Sequence, residues 1–251
     1  MTAAYSPPRD LPSKLRRRAT QWQAAKPARL RFGEPILSVC FDDFPASAAE
    51  NGAALLHRWR GGGTFFAAAG MEGEDGPCGM NFRAGQISDL IDQGHEVGCH
   101  TFDHADCAQR DAFDSLHSLA QNRDALAKMG APAPQTLAYP YGETCAELKA
   151  ALPPRFQCAR GVLPGLNRGK VDLAQLNAYA LFGESWEARA HAALKRAAKQ
   201  NAWMIAFTHD VSGAPSPWGT SEQDLDALLG AAHALGFSIL PMSAALQRRI
   251  A

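Results

Sequence analysis

The stretch ILSVCFDDFP, residues 36–45, joins a predicted strand to two adjacent carboxylates. Its first six residues are mostly apolar and strand-like, and Asp42 and Asp43 follow them directly. Two like charges at the edge of a low-dielectric core repel each other, so the pair costs stability unless a cation or a reaction uses it. A second interpretation is that Asp43 caps a helix that begins near Pro45, because Asp is a favoured N-cap and proline suits a first turn.

Short apolar runs alternate with amphipathic segments along the rest of the chain, a pattern typical of a parallel α/β sheet. The apolar runs predict strands at residues 36–41, 64–69, 95–100, 136–139, 156–160, 202–208 and 237–240. The amphipathic segments predict helices at residues 84–93, 111–129, 186–200 and 221–235, the last with Ser221 and Asp224 in capping-box positions. Seven strands with interleaved helices suit a (β/α) barrel or a doubly wound sheet.

The composition bounds the class of protein. With 251 residues, of which 46% are hydrophobic, the chain can bury one barrel-sized core or two smaller ones. Its formal net charge is zero, which gives no reason to expect a nucleic-acid partner. Residues 1–34 nevertheless carry eight Lys or Arg and two acids. We interpret them as a solvated, partly helical basic extension, and peripheral membrane contact through this arm is the alternative.

Targeting and redox signals are sparse. No apolar run approaches the length of a membrane span, and the N-terminus has no apolar core of a signal peptide, so we expect a cytoplasmic protein without a transmembrane segment. The six cysteines occur singly and lack CxxC spacing. We expect them to be reduced core thiols.

Polar side chains follow four of the predicted strands at the point where each strand ends. The segments are FDD (41–43), HTFDH (100–104), AYPYG (138–142) and THD (208–210). Parallel α/β folds build their sites at the carboxyl ends of their strands. The sequence therefore predicts that these four segments meet in one site.

Two histidines and one aspartate suggest a metal centre in that site. His100 and His104 on one helical turn would point the same way, and Asp43 would complete a three-ligand site with positions left open for water. Asp42 could then act as a general base and His209 as the complementary acid. The plainer alternatives are a coincidental HxxxH on a helix surface and a buried His209 satisfied by a backbone carbonyl.

The motifs FDD, HTFDH, YPYG and FTHD, in this order and at these separations, resemble those of the polysaccharide deacetylases, the NodB-homology or carbohydrate esterase family 4 group. The resemblance covers roughly residues 35 to 245. It implies a distorted (β/α) barrel of about seven parallel strands and a metal-dependent deacetylation of amino sugars. Residues 35–251 would then form the catalytic domain.

The resemblance also implies residue roles. Asp42 would be the base, His209 the general acid, and Tyr141 the donor of a backbone N–H to the oxyanion. Thr101 would support the turn between the histidines. The implied metal ligands are Asp43, His100 and His104; Zn²⁺ is the expected ion, and Co, Ni or Mn are alternatives.

The chain departs from the family pattern in two places. The family's third motif often begins with an Arg that orients the base, but Ala138 stands there, and we hypothesise that Arg160 in CARG replaces it. The family's Asp-x-x-Asp-Trp motif has no convincing match, so the group that orients His209 is unassigned. Trp218 in PSPWGT is either a sugar-stacking residue or a loop anchor.

The expected function is hydrolysis of N-acetyl groups on N-acetylglucosamine-type units of an exopolysaccharide or its lipid-linked precursor, for instance that of an adhesin such as holdfast. One alternative is a hydrolase of the same fold that opens a small amide or cyclic ureide. Another is a non-catalytic carbohydrate-binding module, although such a module has no use for ligands, base and acid together.

Overall fold

The computed structural model describes residues 7–8 and 10–250 of the chain. The strands are β1 (Pro27–Leu30), β2 (Ile36–Phe41), β3 (Thr64–Ala67), β4 (Asp75–Gly76), β5 (Gly79–Met80), β6 (Glu96–Cys99), β7 (Thr136–Ala138), β8 (Cys158–Arg160), β9 (Gly169–Asp172), β10 (Tyr179–Ala180), β11 (Trp203–Thr208) and β12 (Ser238–Ile239). The helices are α1 (Leu11–Trp22), α2 (Ala53–Arg58), α3 (Ala84–Asp92), α4 (Ala112–Lys128), α5 (Ala146–Ala151), α6 (Trp186–Gln200), α7 (Glu222–Ala234) and α8 (Met242–Gln247).

One parallel sheet forms the centre of the molecule. Its strand order is β10-β11-β2-β3-β6-β7-β8, and β12 also pairs with β2. From β2 to β8, each strand of this sheet lies beside the strand of the sheet that precedes it along the chain, so the strand order advances in one direction. In a doubly wound sheet the strand order reverses. The sheet curls and carries helices, as in the predicted distorted (β/α) barrel, and the doubly wound alternative is excluded.

Strand β2 is the most enclosed strand of the sheet. All six of its residues pair with β11 on one side, from Ile36 opposite Trp203 to Phe41 opposite Thr208. Its other side is shared, because the first two residues pair with β12 and the last two with β3. All six residues are buried.

The alternation of side chains along β2 sets the direction of the acids that follow. Leu37 and Val39 belong to the apolar cluster beneath the helices, whereas Ile36 and Cys40 belong to the cluster inside the barrel. The Asp42 N–H donates to the Thr208 carbonyl at 2.9 Å, which prolongs the β2–β11 ladder by one residue. Asp42 therefore keeps the inward direction of Cys40.

Two edge strands, β8 and β10, end the sheet, and the segment between them spans the remaining gap. The Leu176 N–H donates to the Ala159 carbonyl at 2.8 Å, and the Gly161 N–H donates to the Leu176 carbonyl at 3.0 Å. The same segment then pairs with β11 as β10. Backbone hydrogen bonds thus connect the two edges of the sheet.

The basic N-terminal stretch is partly helical, as predicted, and it contacts the barrel. Helix α1 begins after Asp10, whose carboxylate accepts the Ser13 N–H at 2.9 Å. The Lys149 ammonium on α5 donates to the Thr20 carbonyl at 2.8 Å, and β1 pairs antiparallel with β9. Within the described part of the chain, no helix is long and apolar enough to cross a membrane.

The cysteines match the expectation of core thiols. All six are free, and all but Cys145 are buried. Burial raises the pKa of Cys40 and of Cys107 to about 12, so these thiols stay protonated and weakly nucleophilic.

Candidate active site

The predicted polar segments meet at one end of the barrel, because the strands that carry them are parallel. The four segments follow or end β2, β6, β7 and β11, and Arg160 ends β8. They bring to this end Asp42, Asp43, His100, His104, Tyr141, Arg160 and His209.

Asp43, His100 and His104 form a compact cluster. The Asp43 Oδ1 atom lies 2.9 Å from His104 Nε2 and 3.4 Å from His100 Nε2. The three potential ligand atoms all lie within 4.8 Å of one another. Two imidazole nitrogens and one carboxylate oxygen at this spacing fit the ligand set of a catalytic Zn²⁺ or related transition metal.

The hydrogen bonds of the cluster leave room for a cation. His100 Nδ1 lies 2.8 Å from the Ala138 carbonyl, which can only accept, so this nitrogen carries a proton. In the neutral imidazole, Nε2 then presents a lone pair towards Asp43. The Asp43 Oδ1 atom is buried and has no hydrogen-bond donor in the described structure. A divalent ion between these facing acceptors would satisfy both.

Electrostatics favours the ionised form of Asp43. Burial alone would raise the pKa of this carboxyl, but the neighbouring His104 and His100 side chains outweigh burial and hold the pKa well below its usual value. Asp43 is therefore an anion at neutral pH, which is the form that binds a metal.

The HxxxH segment is not helical, contrary to our expectation of a helical turn. Residues 100–106 contain no helix, and Thr101 and His104 have positive φ angles of 61° and 51°. The Phe102 N–H donates to Ser118 Oγ at 2.9 Å, which ties this loop to α4. The imidazoles therefore converge through left-handed loop backbone instead of helical periodicity.

Left-handed backbone is concentrated in the site. Of the eight non-glycine residues with positive φ among those described, five lie in its loops: Asp43, Phe44, Thr101, His104 and Tyr141. Such residues cost roughly 1–3 kcal/mol each and persist where the surroundings enforce them. Asp43 also does not cap the following helix, because its side chain faces the two histidines.

Asp42 forms a buried ion pair with Arg160, whose Nη2 donates to Asp42 Oδ1. Arg160 is fully buried, and its guanidinium lies 5.0 Å from the ring centre of Phe66 and 4.8 Å from that of Phe207. Residue 138, at the position of the family's arginine, is a buried alanine inside the barrel. The Arg160 guanidinium, at the end of β8, thus lies beside Asp42.

His209 is oriented by the backbone of the loop that follows it. Its Nδ1 lies 3.0 Å from the Trp218 carbonyl, which also accepts the His209 backbone N–H at 3.3 Å. The Nδ1 proton therefore points at the loop, and Nε2 is the atom available to other partners. His209 is not buried, so the interpretation as a core histidine fails, although a backbone carbonyl does satisfy one nitrogen.

Asp210 holds this loop and was missed as a site residue by sequence reasoning, although the motif THD contains it. Its carboxylate accepts the Ser216 N–H at 2.8 Å and the Ser216 hydroxyl at 2.6 Å. A Cβ atom at Gly219 would lie 2.3 Å from the same carboxylate, so only glycine fits there. The loop carries Trp218, whose side chain is 40% exposed and open to a ligand.

Tyr141 lies in a tight turn beside the histidines. Its φ is 58°, and its ring packs edge-on against His104 with ring centres 4.7 Å apart. Burial, together with Asp43 and Asp106, raises the pKa of its hydroxyl. Gly142 follows with a φ of 72°, and a Cβ there would meet Val162 at 2.4 Å. The turn therefore depends on glycine at residue 142.

A cavity of about 270 Å³ lies behind this turn. Its wall includes Glu143 from the turn, Val162 after β8 and Arg17 from α1. Arg17 Nη1 lies 2.8 Å from Glu143 Oε1. Burial nevertheless raises the pKa of Glu143 to about 7, because it outweighs the attraction to Arg17.

Together, fold and site define a (β/α)-barrel protein with a candidate hydrolytic centre at the carboxyl end of its strands. Residues 30–152 match the family model described as polysaccharide deacetylase. Just under half of the chain therefore matches the polysaccharide deacetylase family that its motifs resemble. No curated protein matches it in sequence.

Solved structures with low sequence identity share the fold. A family 4 acetyl xylan esterase from Clostridium thermocellum, in complex with a cobalt ion, is 18% identical with a TM-score of 0.60, over 84% of this chain and 90% of that one. A mutant of the peptidoglycan deacetylase PdaC from Bacillus subtilis is 16% identical with a TM-score of 0.56, over 86% and 92%.

The same fold also occurs without the activity. A mutant of a CE4 family pseudoenzyme is 13% identical with a TM-score of 0.60, over 91% of this chain and 74% of that one. Activity therefore has to be argued from the site itself.

Proposed function

We propose that this chain is a metal-dependent N-deacetylase that acts on N-acetylglucosamine-type units of a polysaccharide. The observation that carries the proposal is the convergence of Asp43, His100 and His104 beside the buried Asp42–Arg160 pair. A binding module would gain nothing from a buried carboxylate–guanidinium pair next to three potential ligands, since such groups cost stability.

Zn²⁺ is the proposed metal. Its usual catalytic sites have three protein ligands from histidine and carboxylate, and the cobalt ion in the acetyl xylan esterase structure is consistent with a divalent ion in that relative. Such an ion, when bound, would supply Lewis acidity at the acetamide carbonyl and at a water molecule.

Asp42 is the proposed general base. Its carboxylate faces into the barrel mouth and its side chain is 6% exposed, so a water proton is the natural target of its free acceptor positions. Arg160 holds one oxygen and fixes the direction of the carboxylate. The guanidinium thus serves as a positioning residue, in the role that we hypothesised from the alanine at residue 138.

Two further groups would complete the reaction. The backbone N–H of Tyr141 would donate to the oxygen that gains charge as the acetamide carbonyl is attacked. His209, in the form that carries a proton on each ring nitrogen, would donate its Nε2 proton to the departing nitrogen, while its Nδ1–H stays bonded to the Trp218 carbonyl. The products are acetate and a free amine.

The substrate proposal rests on the family and on one exposed aromatic side chain. The 40% exposed indole of Trp218 stands on the loop that orients His209 and could stack on a sugar ring next to the one that reacts. We propose an exopolysaccharide or its lipid-linked precursor as the natural substrate, of which a secreted adhesin is one example.

Acetate release from N-acetylated chitooligosaccharides, coupled to metal analysis of the purified protein, tests the proposal. Asp42→Asn should retain the metal and lose turnover by about 10²–10⁴-fold, because it removes the base and leaves the three proposed metal ligands unchanged. Asp43→Asn should lose the metal as well. Bound glycan without metal or acetate would indicate a pseudoenzyme, and release from small amides alone would indicate a different hydrolase.

A further inference from the structure

Helix α1 turns its polar side to the protein and its apolar side to solvent. Ser13 and Thr20 are its buried residues, and Arg17 between them reaches Glu143. At about 100° per residue, Leu11, Leu15 and Trp22 lie within roughly 40° of one another on the opposite side. This arrangement is the reverse of a surface helix that packs its apolar stripe on a core.

The three apolar side chains are unusually exposed. Leu11 is 71% exposed, Leu15 is 61% exposed and Trp22 is 83% exposed. The described part of the chain has nine exposed large hydrophobic residues, so a third of them lie on this twelve-residue helix. Trp22 is the most exposed of the nine.

Positive charge flanks the stripe. Lys14, Arg16 and Arg18 are exposed, and residues 11–22 contain no acid. An anionic lipid surface offers apolar depth and negative charge together, and tryptophan, leucine and basic residues are typical of helices that lie in such an interface.

We propose that α1 docks the protein on an anionic lipid bilayer, with Leu11, Leu15 and Trp22 inserted between the headgroups and Lys14 and Arg18 against the lipid phosphates. The helix cannot detach from the barrel without losing the Lys149–Thr20 and Arg17–Glu143 hydrogen bonds. A docked α1 therefore holds the whole barrel at the bilayer. Tyr141 lies two residues before Glu143, the residue that contacts Arg17 of α1.

Sedimentation with vesicles tests the proposal without any deacetylase assay. The full chain should pellet with phosphatidylcholine vesicles that contain phosphatidylglycerol and stay in the supernatant with phosphatidylcholine alone. Salt at about 1 M, where the Debye length falls to about 3 Å, should weaken the binding strongly. Lys14→Gln and Arg18→Gln should each weaken it about fivefold.

Matched variants separate this helix from general stickiness. Leu15→Gln/Trp22→Gln should abolish sedimentation with the anionic vesicles. Phe113→Gln/Leu235→Gln, which changes one exposed hydrophobic residue on α4 and one directly after α7, should leave sedimentation unchanged. Trp22→Phe should keep binding but lose most of the fluorescence quenching by brominated lipid.

Two outcomes would overturn the docking proposal. One is equal sedimentation of the α1 double variant and the wild type. The other is no sedimentation, combined with a dimer in gel filtration that Leu15→Gln/Trp22→Gln dissociates, which would make α1 an interface between copies. Acetate release from soluble chitooligosaccharides should be the same for the α1 variant and the wild type, so failure of the proposed activity would be seen separately.

Discussion

Substitution of Arg160 by methionine tests the proposed organisation of the site most directly. The side chain of Arg160 is 0% exposed and that of Asp42 is 6% exposed, so their ion pair is shielded from solvent. Methionine retains much of the volume between Phe66 and Phe207 but removes the charge. The Asp42 carboxylate then stays behind in the barrel without its guanidinium partner.

The expected cost follows from this burial. Removal of one partner of a buried ion pair costs about 3–5 kcal/mol, because the other charge is left uncompensated. In Asp42→Asn/Arg160→Met no charge remains, so most of that loss should be recovered. As a control, Arg58→Met breaks a pair in which the Arg58 side chain is 63% exposed, and it should cost about 0–1 kcal/mol.

Urea unfolding of the wild type, Asp42→Asn, Arg160→Met and the double variant gives these differences in unfolding free energy as a double-mutant cycle. The slope of unfolding free energy against urea concentration is compared for each protein. Turnover should also fall in Arg160→Met with little change in bound metal, because the base loses its orientation. A loss of stability below about 1 kcal/mol, or a double variant no more stable than Arg160→Met, would refute the reasoning that the pair is a shielded, mutually dependent unit.

Three other predictions concern metal, pH and a helix cap. Chelation should abolish acetate release, and added Zn²⁺ or Co²⁺ should restore it; activity that persists in metal-free protein would contradict the proposed centre. Because burial raises the pKa of Glu143 from 4.5 to about 7, the folded state binds this proton more tightly than the unfolded chain. Unfolding free energy relative to Glu143→Gln should therefore fall as the pH rises from 4.5 to about 7, whereas parallel pH profiles would show that burial has no such effect. Ser221→Ala should cost about 1 kcal/mol in urea unfolding, because Ser221 Oγ accepts the Asp224 N–H at 3.1 Å at the start of α7, and an unchanged midpoint would deny that cap a role.

Elements with a strong local pattern were predicted closely. Strand β2 has the predicted bounds, helix α6 spans the predicted residues 186–200, and α3, α4 and α7 differ by one residue at their ends. In these segments the burial pattern and the local caps agree. Strands β1 and β9 escaped prediction because they are short, have only one buried residue between them and pair across a large separation, with Pro27 opposite Asp172.

The candidate site was likewise predicted only in part. The motif residues could be named from the sequence because each follows a strand. The loop conformation of His104, with its positive φ, could not, since HxxxH spacing equally suits a helix. The Trp218 carbonyl that orients His209 is a backbone group, which no residue type reveals. Such contacts depend on how a loop folds back.

The pairing of β2 with strands from distant parts of the chain limits where the chain can be truncated. The segment with the family match ends at residue 152, but β11 and β12, which flank β2 along its length, lie at Trp203–Thr208 and Ser238–Ile239. A fragment that stops at the end of the match would expose one whole edge of β2 and the first two residues of the other edge, and would lack Arg160 and His209. During synthesis, the two aspartates therefore emerge early, whereas the strand that bears them acquires its last neighbour, β12, only after Ile239 has emerged.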